Sequence, residues 1–213
     1  DSPCWNQGHH HCIEPIYWTN SQTMSVNKKG RSSVFFIKVE GKTCALKHYY
    51  RGGLLSRLIY DQYFWIGLEK TRSFLEWNIL LEMRSLHLPV PIPIAARVKK
   101  SGLFYQADLL TEVIPNIESM GDKLREELMT DKLWQAVGEC ISLFHYHDIV
   151  HQDLNIENIQ IDTDNKVYLL DFDKTQFSKS SPKLLNDNLD RLRRSISKLS
   201  ISQNKIFPEK EWS

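Results

Sequence analysis

The sequence predicts an α+β chain of two lobes, an antiparallel sheet first and a compact, mainly helical part second. Three observations predict it. Runs of β-branched and aromatic residues separated by glycine-bearing turns dominate the stretch before Pro115. Beyond it the apolar residues fall mostly at helical spacing. Pro115-Asn116 punctuates the change, so the lobes are drawn at 1–114, with an N-terminal arm, and 115–213. A length of 213 residues suits one ordinary domain or two small lobes sharing a cleft.

The elements follow in order. Val34 to Val39 reads as a strand, Glu40-Gly41-Lys42 as a tight turn and Thr43 to Lys47 as the returning strand of a hairpin. Gly52-Gly53 breaks the pattern, and Leu54, Leu55, Leu58, Ile59, Tyr63 and Phe64 share the face of a helix running to Trp65. A second helix covers Ser73 to Leu86 and ends firmly at Pro89-Val90-Pro91-Ile92-Pro93. Ile94 to Val98 and Leu103 to Val113 are strands joined by Lys99-Lys100-Ser101-Gly102. In the second lobe Asp131 is the expected N-cap of a helix whose apolar stripe is Leu133, Val137, Cys140, Ile141 and Phe144. Two short strands, Ile159 to Ile161 and Val167 to Leu170, precede a last helix over Leu184 to Leu199.

The net charge of +1 argues against bulk nucleic-acid binding, and no obligate protein partner is evident. The charge is uneven, however. Lys28, Lys29, Arg31, Lys38, Lys42, Lys47, Arg51 and Arg57 are met by Glu40 alone, a surface suited either to water or to an anion. The four cysteines form neither a Cys-x-x-Cys knuckle nor a dense disulfide framework, as expected of a reduced, cytoplasmic chain. Cys4 and Cys12 flank His9, His10 and His11 without a second ligand pair at finger spacing, so this stretch reads as a polar arm. No apolar run approaches the roughly 20 residues that span a bilayer, and no signal peptide is visible, so any membrane contact is expected to be peripheral.

Three short segments carry the chemistry. Lys47 ends an apolar strand, Cys44-Ala45-Leu46-Lys47, where an ammonium can hold the α- and β-phosphates of ATP. Taken alone, such a lysine more often faces solvent. The run His151-Gln152-Asp153-Leu154-Asn155-Ile156-Glu157-Asn158 has the spacing H-x-D-x-x-x-x-N. It turns a carboxylate toward an attacking hydroxyl and an amide oxygen toward a metal, while His151 braces the loop from within. Asp171, in Leu170-Asp171-Phe172-Asp173, follows a buried strand at the place of a Mg²⁺-binding acid; by itself it need only end a strand. Glu76, on the helix after Lys47, is the expected ion-pair partner of that lysine, ahead of Glu69 and Glu82. In this order the pieces predict a protein-kinase-like bilobal fold that uses ATP and Mg²⁺.

Several stretches narrow the choice. Leu46-Lys47-His48-Tyr49-Tyr50-Arg51-Gly52-Gly53-Leu54 resembles the lipopolysaccharide kinase family. Arg72 to Trp77, Leu88 to Pro93, Ala107 to Glu112, Asp171-Phe172-Asp173 and Asn188 to Ser195 are similar to it as well, from about Tyr17 to Leu199. The resemblance implies transfer of the ATP γ-phosphate to the 4-hydroxyl of 3-deoxy-D-manno-octulosonic acid (Kdo). That sugar would be carried by a lipid A precursor, in core assembly at the cytoplasmic face of the bacterial inner membrane. It implies that Lys47 contacts phosphate and pairs with Glu76. Asp153 would be the catalytic acid/base residue, and Asn158 and Asp171 would hold Mg²⁺. The backbone of Leu110, Thr111, Glu112 and Val113 would bind adenine.

The chain also departs from general kinases. Its phosphate loop, Asn27 to Ser33, has one glycine, Gly30, so Arg31, Lys28 or Lys29 is expected to supply side-chain charge in place of close backbone approach. Asp173 stands where a glycine is usual; it tolerates left-handed backbone, or else binds metal or substrate. No Ala-Pro-Glu follows, which favours a small or lipid-linked acceptor over a protein. Arg51 and Arg57 are candidates to meet that anionic acceptor at the membrane. The rival readings are a heptose or Ser/Thr protein kinase with the same catalytic set, and a non-catalytic pseudokinase-like binding module.

Overall fold

The computed structural model describes residues 25–27, 34–39, 41–50, 61–173, 175 and 181–204. Gly30, Arg31, Arg51, Arg57, the cysteine and histidine arm and most of the expected Leu54 to Trp65 helix lie outside these residues. The chain forms two compact units, one running to Phe74 and including Ile94–Val113, the other made of Leu75–Pro93 and the chain from Ile114.

The first unit is built on a six-stranded sheet in the order β1-β2-β3-β6-β4, with β5 also paired to β6. Strands β1 (Ser25–Asn27), β2 (Val34–Val39) and β3 (Lys42–His48) are antiparallel neighbours, with Val34 opposite Lys47 and Val39 opposite Lys42. Gly41 turns this hairpin at φ 81°, a value that costs a glycine little. Strand β3 pairs in turn with β6 (Phe104–Glu112), Cys44 opposite Glu112 and His48 opposite Asp108. β5 (Pro93–Ser101) precedes it.

Tyr63 and Phe64, expected on a helix, instead form the strand β4 (Tyr63–Phe64) against Tyr105 and Phe104. Aromatic pairing explains the difference. Tyr63 stacks toward Tyr105 at 5.5 Å and Phe64 toward Phe104 at 4.8 Å, and Tyr63 is buried while Phe64 is exposed, the two-residue period of a strand.

A polar cluster secures the end of β3 just past Lys47. His48 Nδ1 lies 2.6 Å from Asp108 Oδ1 and its Nε2 3.3 Å from Asp61 Oδ2, while Arg97 donates to Asp108 Oδ2 at 3.1 Å. Burial opposes charge on His48, but the Asp108 and Asp61 carboxylates outweigh it and raise its pKa.

Helix α1 (Arg72–Ser85) starts in the first unit, where Ser73 Oγ donates to Arg97 O at 3.0 Å. From Leu75 onward it belongs to the second. There Leu169 N donates to Pro89 O at 3.1 Å, so the proline run after α1 leans on a strand of the helical unit.

The second unit holds β7 (Glu118–Ser119), α2 (Met120–Arg125), α3 (Asp131–Tyr146), β8 (Ile159–Ile161), β9 (Val167–Leu169) and α4 (Pro182–Gln203). The strands make a small antiparallel sheet, β7-β8-β9. All five residues of the expected α3 stripe are buried. The cap is Thr130 and not Asp131: the Thr130 hydroxyl accepts from Leu133 N at 3.4 Å, and Asp131 is the first helical residue. A carboxylate in that first turn still favours the helix dipole. Helix α4 begins earlier than its apolar pattern suggests, because Ser181 caps it and Pro182 occupies the first turn. Leu192, Ile196 and Leu199 of α4 join Val137, Ile141, Phe144, Ile149, Leu154, Ile159, Leu169 and Phe172 among the buried apolar residues. Full burial of each such side chain contributes about 1.5–3 kcal/mol relative to exposure.

Cys44 and Cys140 are free and buried, and burial pushes the Cys140 thiol up to about 12, which leaves it inert at neutral pH.

Candidate active site

The loop from His151 to Asn158 is held from three sides. His151 is buried, and its Nε2 lies 2.8 Å from the Leu170 carbonyl, so that nitrogen carries the proton. Its Nδ1 accepts from Asp153 N at 3.2 Å. Both ring nitrogens are thus satisfied in the neutral tautomer. Burial drives the pKa of His151 down in the same sense, against weaker opposition from the Leu170 carbonyl, Asp171 and Asp153. The bracing role expected of His151 is what the geometry shows.

Within the loop Asn155 acts as a hub. Its Oδ1 accepts from Glu157 N at 2.9 Å and Asn158 N at 3.2 Å, and its Nδ2 donates to Asp153 O at 2.9 Å. Asn158 Nδ2 donates to the same Asp153 carbonyl at 2.9 Å. That bond assigns Nδ2 as the donor end of the amide and leaves Asn158 Oδ1 as the acceptor end, which takes no hydrogen bond among the described residues. The Asp153 carboxylate is 65% exposed, and Arg191 of α4 stands 4.0 Å from it. The loop therefore spends its backbone on its own shape and presents a carboxylate and an amide oxygen.

Helix α4 braces the loop from behind. Asn188, buried, donates to the His151 carbonyl at 2.6 Å, and its Oδ1 takes the proton of His145 Nε2 at 3.0 Å. Ser195 Oγ accepts from Ile156 N at 3.3 Å.

On another side Glu157 receives Arg125 at 2.5 Å, and Arg125 also binds Asp122 at 2.7 Å. Gly121 N donates to Ile156 O at 3.0 Å, so α2 begins directly against the loop. A Cβ on Gly121 would lie 2.6 Å from Glu157 Oε1. Gly121→Ala is therefore expected to displace the Arg125–Glu157 pair and cost about 1 kcal/mol, roughly 2–4 °C in Tm. In a Glu157→Ala background the clashing atom is absent, so the same change should be nearly neutral by thermal melts. An equal loss in both backgrounds would contradict the clash.

Asp171 follows β9, and Leu170 N donates to Asn158 O at 2.9 Å, which joins the two motifs. Left-handed backbone is one of the two roles open to Asp173, beside metal or substrate binding. It occurs at Asp171, φ 66°. The reversal falls there because Phe172 is anchored on both sides of its Cα. Its ring packs on Phe144 at 5.9 Å and His151 at 4.7 Å, and its N–H donates to Glu76 Oε1 at 3.2 Å. Asp173 sits half-buried just beyond. Glu76, 3% exposed, thus holds the Asp171-Phe172 turn within the second unit.

Lys47 lies in the first unit, opposite Val34 and Leu109, with its ammonium 4.8 Å from the Tyr49 ring centroid. Leu110, Thr111 and Glu112 form the end of β6, opposite Leu46, Ala45 and Cys44. Val113 N donates to Thr43 O at 2.9 Å, and Glu112 is paired with Lys42. Sequence reasoning gave no role to Asn155, Asn188, Arg191, Ser195 or Gly121. Asn188 to Ser195 was marked only as a similar stretch, because a helix sequence alone does not reveal which loop it supports.

A five-stranded path of sheet followed by a helix, then a helix-braced His-x-Asp loop and an acid after a strand, defines a protein-kinase-like phosphotransferase. Residues 16–213 match the sequence profile of the family described as Lipopolysaccharide kinase (Kdo/WaaP), and the chain belongs to that family. It is accordingly a kinase, using ATP and a hydroxyl acceptor. Similar proteins include the 3-deoxy-D-manno-octulosonic acid kinase of Vibrio cholerae serotype O1, 40% identical over 88% of this chain and 79% of that one. The protein of the same name from Haemophilus influenzae (strain PittGG) is 40% identical over 92% and 85%. That of Vibrio vulnificus (strain CMCP6) is 36% identical over 94% and 84%. Among solved structures, WbdD shares the fold, with a TM-score of 0.53 at 14% identity. The match covers 84% of this chain and 37% of that one, little more than a third of its length.

Proposed function

We propose that this chain transfers the γ-phosphoryl group of ATP to the 4-hydroxyl of Kdo on a lipid A precursor, in lipopolysaccharide core biosynthesis. The observation that carries the reading is the braced His151–Asn158 loop, with an exposed Asp153 carboxylate, in a chain 40% identical to proteins named 3-deoxy-D-manno-octulosonic acid kinase. Asp153 orients the acceptor hydroxyl and takes its proton late in an in-line transfer. Lys47 holds the phosphates, with Glu76 as its expected partner, and the Leu110 to Val113 backbone receives adenine.

The donor set fits Mg²⁺. Asn158 supplies an amide oxygen that takes no hydrogen bond among the described residues and Asp171 a carboxylate, both hard ligands. Among the described residues no three His, Cys, Asp or Glu side chains cluster for a metal. A cation held by two protein oxygens plus phosphate and water is the Mg²⁺ pattern. When bound, the ion neutralises charge on the transferring phosphoryl group.

The acceptor places the protein at the cytoplasmic face of the inner membrane, in peripheral contact. Among the described residues no helix is long and apolar enough to cross a membrane. The basic segment with Arg51 and Arg57 is assigned to that anionic surface, Gly30 and Arg31 to the phosphates, and Asp173 to the acceptor side.

The test is transfer of labelled phosphate from ATP to Kdo-lipid A, to a heptosylated core and to a generic protein, with and without EDTA. Label on Kdo-lipid A alone, lost with EDTA, is the expected result. Preferential labelling of heptose or protein would replace the acceptor, and no transfer by folded protein would leave a binding module.

A further inference from the structure

Helix α4 does more than brace the loop. Arg191 stands 4.0 Å from the Asp153 carboxylate, too far for a hydrogen bond, and its side chain is 48% exposed. Its guanidinium donors therefore sit beside the catalytic carboxylate without being consumed by it. Arg194 and Lys198 follow at helical spacings of three and seven, which places them on the same flank. Both are exposed, and neither makes a hydrogen bond or ion pair among the described residues. The three charges extend about 10 Å along the axis, at roughly 1.5 Å per residue. The acid on this flank is Asp187, one turn before Arg191, and it forms no ion pair with it among the described residues. Arg193 points elsewhere and is paired with Asp190 at 3.4 Å. Asn188, Leu192, Ile196 and Leu199 are the buried residues of the helix, so the flank borders the packed face on the side of the loop.

We infer that this flank of α4 recognises the acceptor, with Arg191 binding the carboxylate of the sugar whose hydroxyl meets Asp153. The inference rests on the reaction proposed above and adds how its acceptor is chosen. An ulosonic acid carries a carboxylate on the same ring system as the hydroxyl to be phosphorylated. A guanidinium beside the catalytic carboxylate matches that pairing in charge and in planar, two-pronged geometry. Arg194 and Lys198 continue the positive surface toward the anionic lipid part of the same molecule. A neutral sugar would leave all three unmatched, which makes the flank a specificity element as well as a binding one.

The test uses the full chain and a water-soluble, deacylated Kdo acceptor, so that a general attraction to anionic membranes does not contribute. Arg191→Ala should raise the acceptor KM by about 10–100-fold while the KM for ATP and the melting temperature stay unchanged. Arg191→Lys should recover part of the loss, and Arg193→Ala should be silent. An acceptor whose carboxylate is converted to an amide should lose a similar factor on the wild type and little more on Arg191→Ala. Arg194→Ala with Lys198→Ala should raise the KM for the phosphorylated, lipid-bearing acceptor more than for the deacylated one. Equal losses of Arg191→Ala on the carboxylate and amide acceptors would show that Arg191 only positions Asp153, and would overturn the inference. An unchanged acceptor KM in that variant, with normal wild-type transfer, overturns the inference alone. A wild type that transfers nothing to the Kdo acceptor overturns the proposed reaction and this inference with it.

Discussion

Asp153→Ala is expected to lower kcat by about 10²–10⁴-fold while nucleotide affinity changes by no more than about twofold. The geometry makes this a clean experiment. The Asp153 carboxylate is mostly exposed, and its ion-pair partner among the described residues is Arg191, 4.0 Å away. The loop is held instead by the backbone of Asp153, whose N–H donates to His151 Nδ1 and whose carbonyl receives Asn155 and Asn158. Alanine keeps all of these bonds, so the melting temperature should move by no more than about 2 °C, as for surface substitutions generally. Single-turnover rates and ATP titrations on the same preparation separate chemistry from binding. A kcat within tenfold of the wild type would remove Asp153 from the chemistry.

The second large effect is expected at Asp171. Asp171→Asn keeps the side-chain shape and tolerates the left-handed backbone at φ 66°. It removes the charge a Mg²⁺ ion would need. The expected result is a loss of at least about 10²-fold in kcat, with a higher Mg²⁺ concentration at half-saturation and an unaltered melt. Asp171→Ala should show the same kinetic loss plus about 1 kcal/mol of instability, because alanine pays for positive φ where asparagine largely does not. Kinetics as a function of Mg²⁺, beside thermal melts of both variants, distinguish the two contributions. Unchanged Mg²⁺ dependence and near-normal turnover in Asp171→Asn would exclude it as a ligand.

Much of the fold was legible because its signals are local. The β2–β3 hairpin, the end of α1 and the apolar stripe of α3 each depend on residues within one turn or one helical period. The structure departs from the sequence reading, or chooses between its alternatives, where a distant partner or the path of the chain into an element decides. Tyr63 and Phe64 fit a helical face in isolation, yet Tyr105 and Phe104 offer cross-strand aromatic partners that a helix does not. Asp131 and Thr130 are both good caps, and which hydroxyl or carboxylate reaches Leu133 N depends on how the chain enters the helix. Left-handed backbone falls at Asp171 and not Asp173 because of where Phe172 is buried, on Phe144 and His151.

The candidate site divides in the same way. His151, Asp153, Asn158 and Asp171 are readable from spacing, since a loop of fixed length and a strand end bring fixed atoms together whatever surrounds them. What holds that loop is not readable so: Asn188 and Ser195 reach it from a helix beyond β9, and Gly121 lets α2 close on Glu157. Sequence alone determined the class of chemistry, because reactive groups and their spacing are covalent facts. Only the tertiary structure decided the Asn158 amide orientation, the His151 tautomer and the placement of Arg191 beside Asp153. The His151 tautomer and the Arg191 placement depend on groups far apart in the chain that meet only when the core has packed, whereas the Asn158 amide is fixed within the folded loop by the Asp153 carbonyl.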